Sequence, residues 1–282
     1  MTGFGNNAFS VLLKMRNVEL VAVFTPKRET APFPYYKCVA LQEVVLRHKE
    51  IQFFEDVSLR AETAYQMIEG LSPDLIVVST FNQIIPQKIL SIPRLGVINL
   101  HPSLLPKYRG GTPTVWVLIN GEKETGITVH FIEDERIDRG RIIIQSKLKI
   151  HSSDSDGTLR HRLAIHSEKV LEGAIRIVFQ KRREEFREQN EFEASYYRKR
   201  TIKDAEINLS HPFEKIRNQI RAMTPHPGAY LKHNGLEYLV RGVSRVHKNN
   251  TLEHSDESTN KLFLPTANGI VRFDAKKKFE DG

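Results

Sequence analysis

Between Gly96 and Gly111 a short apolar run, Val97-Ile98-Asn99-Leu100-His101, breaks into a loop punctuated by Pro102, Pro106, Gly110 and Gly111. Successive side chains of an extended segment face opposite ways, so Asn99 and His101 leave one strand end on the same side. An amide donor is thereby set beside an imidazole. Such a pair can stabilise an oxyanion while the imidazole also moves a proton, and a carboxylate is then wanted to hold the ring. A second apolar segment, Gly126 to Ile132, runs into Glu133-Asp134-Glu135-Arg136-Ile137-Asp138-Arg139-Gly140. Asp138 stands at the turn before Gly140, from which a loop can fold back over His101.

Upstream, short β-branched segments alternate with stretches of helical spacing. Glu19 to Phe24, Ile51 to Phe54 and Leu75 to Ser79 read as strands, while Ala8 to Met15, Tyr36 to His48, Ala61 to Gly70 and a segment opened by Pro86 read as helices, the third closed by Gly70. This alternation predicts an α/β fold with a mostly parallel, Rossmann-like sheet, helices on both faces and ligands at the carboxyl ends of the strands. The Gly-rich opening Met1 to Asn7 leads straight into a helix with no strand ahead of it, so an exposed edge or gap is expected in the sheet. Thr125 to Ile132 and Arg141 to Ile150 read as strands joined by the Asp138 loop, as a hairpin or near neighbours. Asp156 to Gln180 reads as a long amphipathic helix capped by Ser155 or Asp156.

Composition changes at Lys181 to Asp204, which is dense in charge and poor in aliphatic residues. A linker over 181–204 is expected there, separating a domain over 1–180 from a smaller one over 205–282. Short strands broken by Gly, Asn and Pro in the last part predict a small β-barrel, with Asn249 to Asn260 as a polar loop. No apolar run approaches the roughly 18 residues of a membrane helix. The start carries no signal peptide, and the single Cys38 has no internal disulfide partner, which together predict a cytoplasmic protein. A net charge of +8 suits an anionic partner. Much of the excess lies in Lys181-Arg182-Arg183, Arg198-Lys199-Arg200 and Lys276-Lys277-Lys278, which read as solvated faces. Zinc-ligand spacing, a phosphate-cradling loop and a dinucleotide fingerprint are all lacking.

Asn99, His101, Ser103-Leu104-Leu105-Pro106, Arg109-Gly110 and Ile137-Asp138 with Gly140 together resemble the signature of the folate-dependent formyltransferases. That family includes glycinamide ribonucleotide, methionyl-tRNA and nucleotide-linked amino-sugar formyltransferases. Arg200-Thr201, Asp204-Ala205-Glu206-Ile207, Ile220-Arg221-Ala222 and Pro225-His226-Pro227-Gly228 resemble the OB-like C-terminal domain shared by the tRNA enzymes and some sugar enzymes. The resemblance implies N10-formyltetrahydrofolate as co-substrate, no metal, and Asn99, His101 and Asp138 as catalytic residues. Asn99 and protonated His101 would stabilise the oxyanion formed when an acceptor amine attacks the formyl carbon. Asp138 would orient His101 and accept the amine proton. Folate contacts are implied at Phe81, Ile84 and Ile85, in the loop after Leu75 to Ser79, and at Ser103, Ile132 and Ile137. Arg109 reads as holding the active-site loop, and His130 and Trp116 as packed core residues.

Three features bear on the acceptor. Gly110-Gly111-Thr112-Pro113-Thr114 departs from the Arg-Gly-Ala-Ala-Pro-Ile run typical of the tRNA enzymes, Val129-His130-Phe131 is closer to the sugar and purine enzymes, and Lys27 to Tyr36 lacks a long basic insertion. A nucleotide-linked amino sugar is therefore the expected acceptor. The alternative is initiator Met-tRNA, suggested by the C-terminal domain and the basic charge. A non-catalytic folate- or RNA-binding relative is opposed by the intact Asn99, His101 and Asp138. The family resemblance is compatible with a homodimer.

Overall fold

A computed structural model of the chain describes residues 3–27, 39–246 and 260–277. Cys38, Lys278, nearly all of Lys27 to Tyr36 and the Asn249 to Asn260 loop up to its last residue lie outside the described residues. The chain forms two compact units, one from residues 1–113, 124–149 and 160–197, the other from 114–123, 150–159 and 198–282.

In chain order the first part contains α1 (Phe4–Lys14), β1 (Ala22–Thr25), α2 (Leu41–Val45), β2 (Gln52–Glu55), α3 (Glu62–Leu71), β3 (Ile76–Ser79), α4 (Gln87–Leu90), β4 (Val97–His101) and β5 (Arg109–Gly110). Then come α5 (Pro113–Ile119), β6 (Glu124–Ile132), β7 (Ile142–Lys149), α6 (Asp156–Val178) and β8 (Tyr196–Tyr197). The fold is α/β as expected, and among the described strands β1 with β2, β3 with β4 and β5 with β8 pair in parallel. The main sheet runs β3-β4-β6-β7, with β6 antiparallel to both of its neighbours, β4 and β7. β1 and β2 form a separate two-stranded sheet. Helix α3 runs past Gly70 and ends at Ser72 in the left-handed region, because Pro73 cannot continue it.

β4 is central in its sheet, and Val97, Ile98 and Leu100 are sealed on both faces. Leu59, Ala64, Ile68, Ile85, Ile89, Leu90 and Val97 form one core cluster, with Phe81 and Ile132 packed against it. This layer holds β4 rigidly, so its polar residues project from a fixed strand end. Residues of the charge-dense stretch up to Tyr197 belong to the first unit, where β8 lies alongside β5.

The second unit contains α7 (Phe213–Ala222) and a four-stranded antiparallel sheet in the order β11-β12-β10-β9, with β9 Ala229–His233, β10 Leu236–Arg245, β11 Lys261–Thr266 and β12 Gly269–Lys277. Asn234 and Gly235 both have positive φ between β9 and β10, the backbone a two-residue hairpin turn requires. Ser155 Oγ accepts from Thr158 N–H at the start of α6, while Asp156 accepts the Thr114 hydroxyl. Trp116 is not the packed core residue its apolar bulk suggested: it is half-buried, and its indole N–H donates to the Arg198 carbonyl at 2.8 Å. Among the described residues, no helix is long and apolar enough to cross a membrane.

Candidate active site

The register between β4 and β6 sets His130 opposite Asn99 and Thr128 opposite His101. The loop after β6 then turns back across these residues. Its turn uses Asp138 at φ 55°, a left-handed conformation that aspartate tolerates better than most residues. Gly140 is required two residues on, since a Cβ there would lie 1.9 Å from the Phe131 carbonyl oxygen. Asn99 Nδ2 donates to Asp138 Oδ1 at 3.1 Å and stands 3.2 Å from His130 Nε2. His101 Nδ1 lies 3.5 Å from Asp138 Oδ2, and the Gly110 N–H donates to that same oxygen at 2.8 Å.

Partner chemistry assigns the ring protons. His101 Nε2 is 2.9 Å from the Tyr108 carbonyl, which can only accept, so Nε2 carries hydrogen. His130 Nδ1 is likewise 2.8 Å from the Phe131 carbonyl and carries hydrogen, while its Nε2 stands 3.2 Å from Asn99 Nδ2 and 3.4 Å from Asp138 Oδ1. His101 therefore presents Nδ1 to a carboxylate oxygen, where two facing lone pairs would repel. A proton taken up at Nδ1 removes that repulsion and is then held between the two groups.

Burial is the largest influence on Asp138 and by itself would raise its pKa. His101, His130 and the Gly110 N–H outweigh it and hold the carboxyl well below the usual carboxylate range. Burial also dominates at His101 and pushes the imidazole down, against the pull of Asp138 and the Tyr108 carbonyl. The arrangement is an ionised carboxylate next to an imidazole that releases its proton readily.

The loop from Ser103 to Gly111 is pinned from several sides. Ser103 is fully enclosed, donates its hydroxyl to the Lys107 carbonyl at 2.8 Å, and accepts from Thr128 Oγ1 on its own carbonyl. Arg109 N–H donates to Ser195 O and Gly111 N–H to Tyr197 O, while the Tyr108 and Tyr197 rings stack with centroids 5.0 Å apart. The Arg109 guanidinium is buried and forks onto the Glu191 carboxylate at 3.0 and 2.8 Å, in the loop-holding role read from the sequence. His130 is 1% exposed, as a core residue would be, but its ring belongs to the polar cluster with Asn99 and Asp138. No local signal marks it: alternation along β6 is visible in the sequence, whereas its register against β4 is not.

Next to this cluster lies a cleft of about 450 Å³, lined by Ile84, Ile137, Tyr196, Arg109, Arg136 and Arg139 among others. Asn99, His101 and Asp138 are not in its lining; Ile137 and Arg139, on either side of Asp138, are. Of the residues expected to meet folate, Ile84 and Ile137 line the cleft and are 44% and 42% exposed. Phe81, Ile85 and Ile132 pack into the core cluster, and Ser103 is inside its loop. Among the described residues, no group of three or more His, Cys, Asp or Glu side chains is arranged to hold a metal ion.

The formyl transferase family matches residues 5–175, and the formyl transferase C-terminal domain matches residues 200–278. The methionyl-tRNA formyltransferase of Syntrophus aciditrophicus is 37% identical over 186 residues, covering 66% of this chain and 59% of that protein. The methionyl-tRNA formyltransferase of Staphylococcus aureus strain MW2 is 30% identical over 230 residues, covering 81% and 73%. The chain thus spans about three fifths of the length of the first relative and about three quarters of the second. Among solved structures, the N-formyltransferase from Helicobacter canadensis, in complex with folinic acid and dTDP-3-aminofucose, superposes with a TM-score of 0.68 at 22% identity, covering 96% of this chain and 95% of that one. At that identity the likeness is one of fold.

Proposed function

The chain belongs to the formyl transferase family, and from that premise we propose that it moves a formyl group from N10-formyltetrahydrofolate to the primary amine of an acceptor. The observation that carries this reading is the meeting of Asn99 and His101 of β4 with Asp138 of the loop after β6, with 3.1 Å and 3.5 Å between the carboxylate and its two partners.

In this reaction the acceptor nitrogen bonds to the formyl carbon and the carbonyl oxygen takes up negative charge. Asn99 Nδ2 donates to that oxygen, exchanging its contact with His130 Nε2 for it. His101, held through Nε2–H on Tyr108 O, carries positive charge on its ring beside the oxyanion once it is protonated at Nδ1. The amine proton passes to the His101–Asp138 pair, and collapse breaks the bond from carbon to N10, which takes a proton back. The products are a formamide and tetrahydrofolate. The chemistry is assigned to residues 1–180, with 205–282 as an accessory OB-like domain. Ile84 and Ile137 are assigned to the donor-binding wall.

For the acceptor we favour a nucleotide-linked amino sugar, on the Gly110 to Thr114 sequence and the likeness to a protein solved with dTDP-3-aminofucose. Initiator Met-tRNA is the second reading, favoured by the sequence relatives and by the C-terminal domain match. Incubation with donor and either dTDP- and UDP-linked amino sugars or charged initiator tRNA, following tetrahydrofolate release, tests both. Sugar turnover should be nearly indifferent to salt. A tRNA reaction making about six phosphate contacts should weaken roughly 10³-fold between 50 and 200 mM salt. No release with any acceptor overturns the formyl-transfer reading.

A further inference from the structure

We propose that Gln189 is a positioning residue for the reaction, tying the Asp138 turn to the Arg109 loop so that the carboxylate meets His101 and Asn99. Its role in turnover rests on the formyl-transfer reading above; its role in geometry does not.

Gln189 lies in the charge-dense stretch whose composition suggested a solvated linker, yet its side chain is 9% exposed and makes four hydrogen bonds. Oε1 accepts from Arg109 Nε at 3.1 Å and Nη2 at 2.8 Å. Nε2 donates to the carbonyls of Asp138 and Gly140, both at 2.8 Å. The amide orientation is forced, since a flipped group would face its NH₂ to a guanidinium and its oxygen to two carbonyls.

These contacts close a ring. Gln189 holds the backbone of Asp138, the Asp138 carboxylate accepts from Gly110 N–H, and Gly110 is the neighbour of Arg109, which returns to Gln189. The ring matters because the Asp138 turn is unfavourable by itself. Its φ of 55° is a strained conformation for a residue with a side chain, and such a turn persists only when its surroundings over-determine it. Releasing the two carbonyls loosens the one loop that carries the carboxylate.

Gln189→Glu separates this role from simple anchoring of Arg109. The carboxylate keeps the volume and pairs more strongly with the guanidinium, but it can no longer donate to Asp138 O and Gly140 O. Gln189→Glu and the similarly sized Gln189→Met, in the full chain, should each lower kcat by about 10²-fold with the donor KM within about twofold, the loss expected for a reacting group displaced by about 1 Å. They should also shift the His101 imidazole titration, followed by NMR without any substrate. Wild-type turnover and an unmoved imidazole titration in Gln189→Glu would overturn the proposal. Should the wild type turn over no acceptor, the imidazole titration still decides on positioning while the reaction assignment falls. If neither variant folds, exchange of the Gln189 side-chain amide protons in the wild type decides: marked protection supports the clamp, and exchange as fast as a solvated glutamine refutes it.

Discussion

His101 Nδ1 stands 3.5 Å from Asp138 Oδ2 with the two side chains 6% and 9% exposed, so the pair interacts where salt and water screen little. The carboxylate reaches this depth only because Gly110 N–H and Asn99 Nδ2 also donate to it. Replacing it by the isosteric amide keeps the shape and removes the charge. Asp138→Asn is expected to lower kcat by about 10²–10⁴ while the far-UV circular dichroism spectrum stays that of the wild type. Unchanged turnover would take Asp138 out of the mechanism.

Asn99→Ala removes the amide that donates to Asp138 and faces His130. If that amide stabilises the oxyanion, single-turnover rates should fall about 10²–10³-fold with little change in donor affinity. A loss smaller than tenfold would assign Asn99 to positioning the carboxylate instead.

Acid should destabilise the protein in two stages. Burial holds His101 below its ordinary pKa of 6.5, so just under that pH the unfolded chain binds the proton more strongly and stability is lost as pH falls. Asp138 is held below 3.8, and its contribution, present above that value, disappears as pH drops further. The urea midpoint should therefore decline already between about pH 7 and 5. His211 and His226, also pushed down by burial, add to this slope, so the share of His101 is the difference between wild type and His101→Gln. Equal slopes for the two proteins would contradict the assignment.

Two glycine substitutions should behave oppositely. At Gly140 an added Cβ meets a backbone oxygen at 1.9 Å, and no rotamer change relieves it. Gly140→Ala should cost about 1–3 kcal/mol in urea unfolding and displace the Asp138 turn, with turnover largely lost. At Gly235 nothing lies within 4 Å, and only its positive φ opposes a side chain. Gly235→Ala should cost about 1 kcal/mol and leave kcat untouched.

Several parts of this site were legible in the chain. Alternation over Val97 to His101 placed Asn99 and His101 on one side of a strand end, and the Pro- and Gly-marked loops bounded it, because those signals are local. The short strands broken by Gly and Asn in the last part were likewise legible, and the β9–β10 turn falls on such a break. His130, Gln189 and Glu191 were not legible, for one shared reason. His130 joins the site through the pairing Asn99↔His130, and Gln189 reaches Arg109 across 80 residues of chain. Neither relation leaves a period or spacing in the sequence. Composition even pointed the wrong way at Gln189, since a charge-dense stretch looks solvated until buried carbonyls are found waiting for the Gln189 amide.

The sequence by itself determined the α/β class, the strand that carries Asn99 and His101, and the turn that carries Asp138, since each follows from side-chain alternation and backbone-breaking residues within a few positions. Tertiary structure alone decided that His130 faces Asn99, that the folate candidates divide between core and cleft, and that Gln189 clamps the Asp138 turn. Those outcomes depend on strand register and on which buried donors meet which acceptors, and such choices are made only when distant segments compete for the same enclosed space.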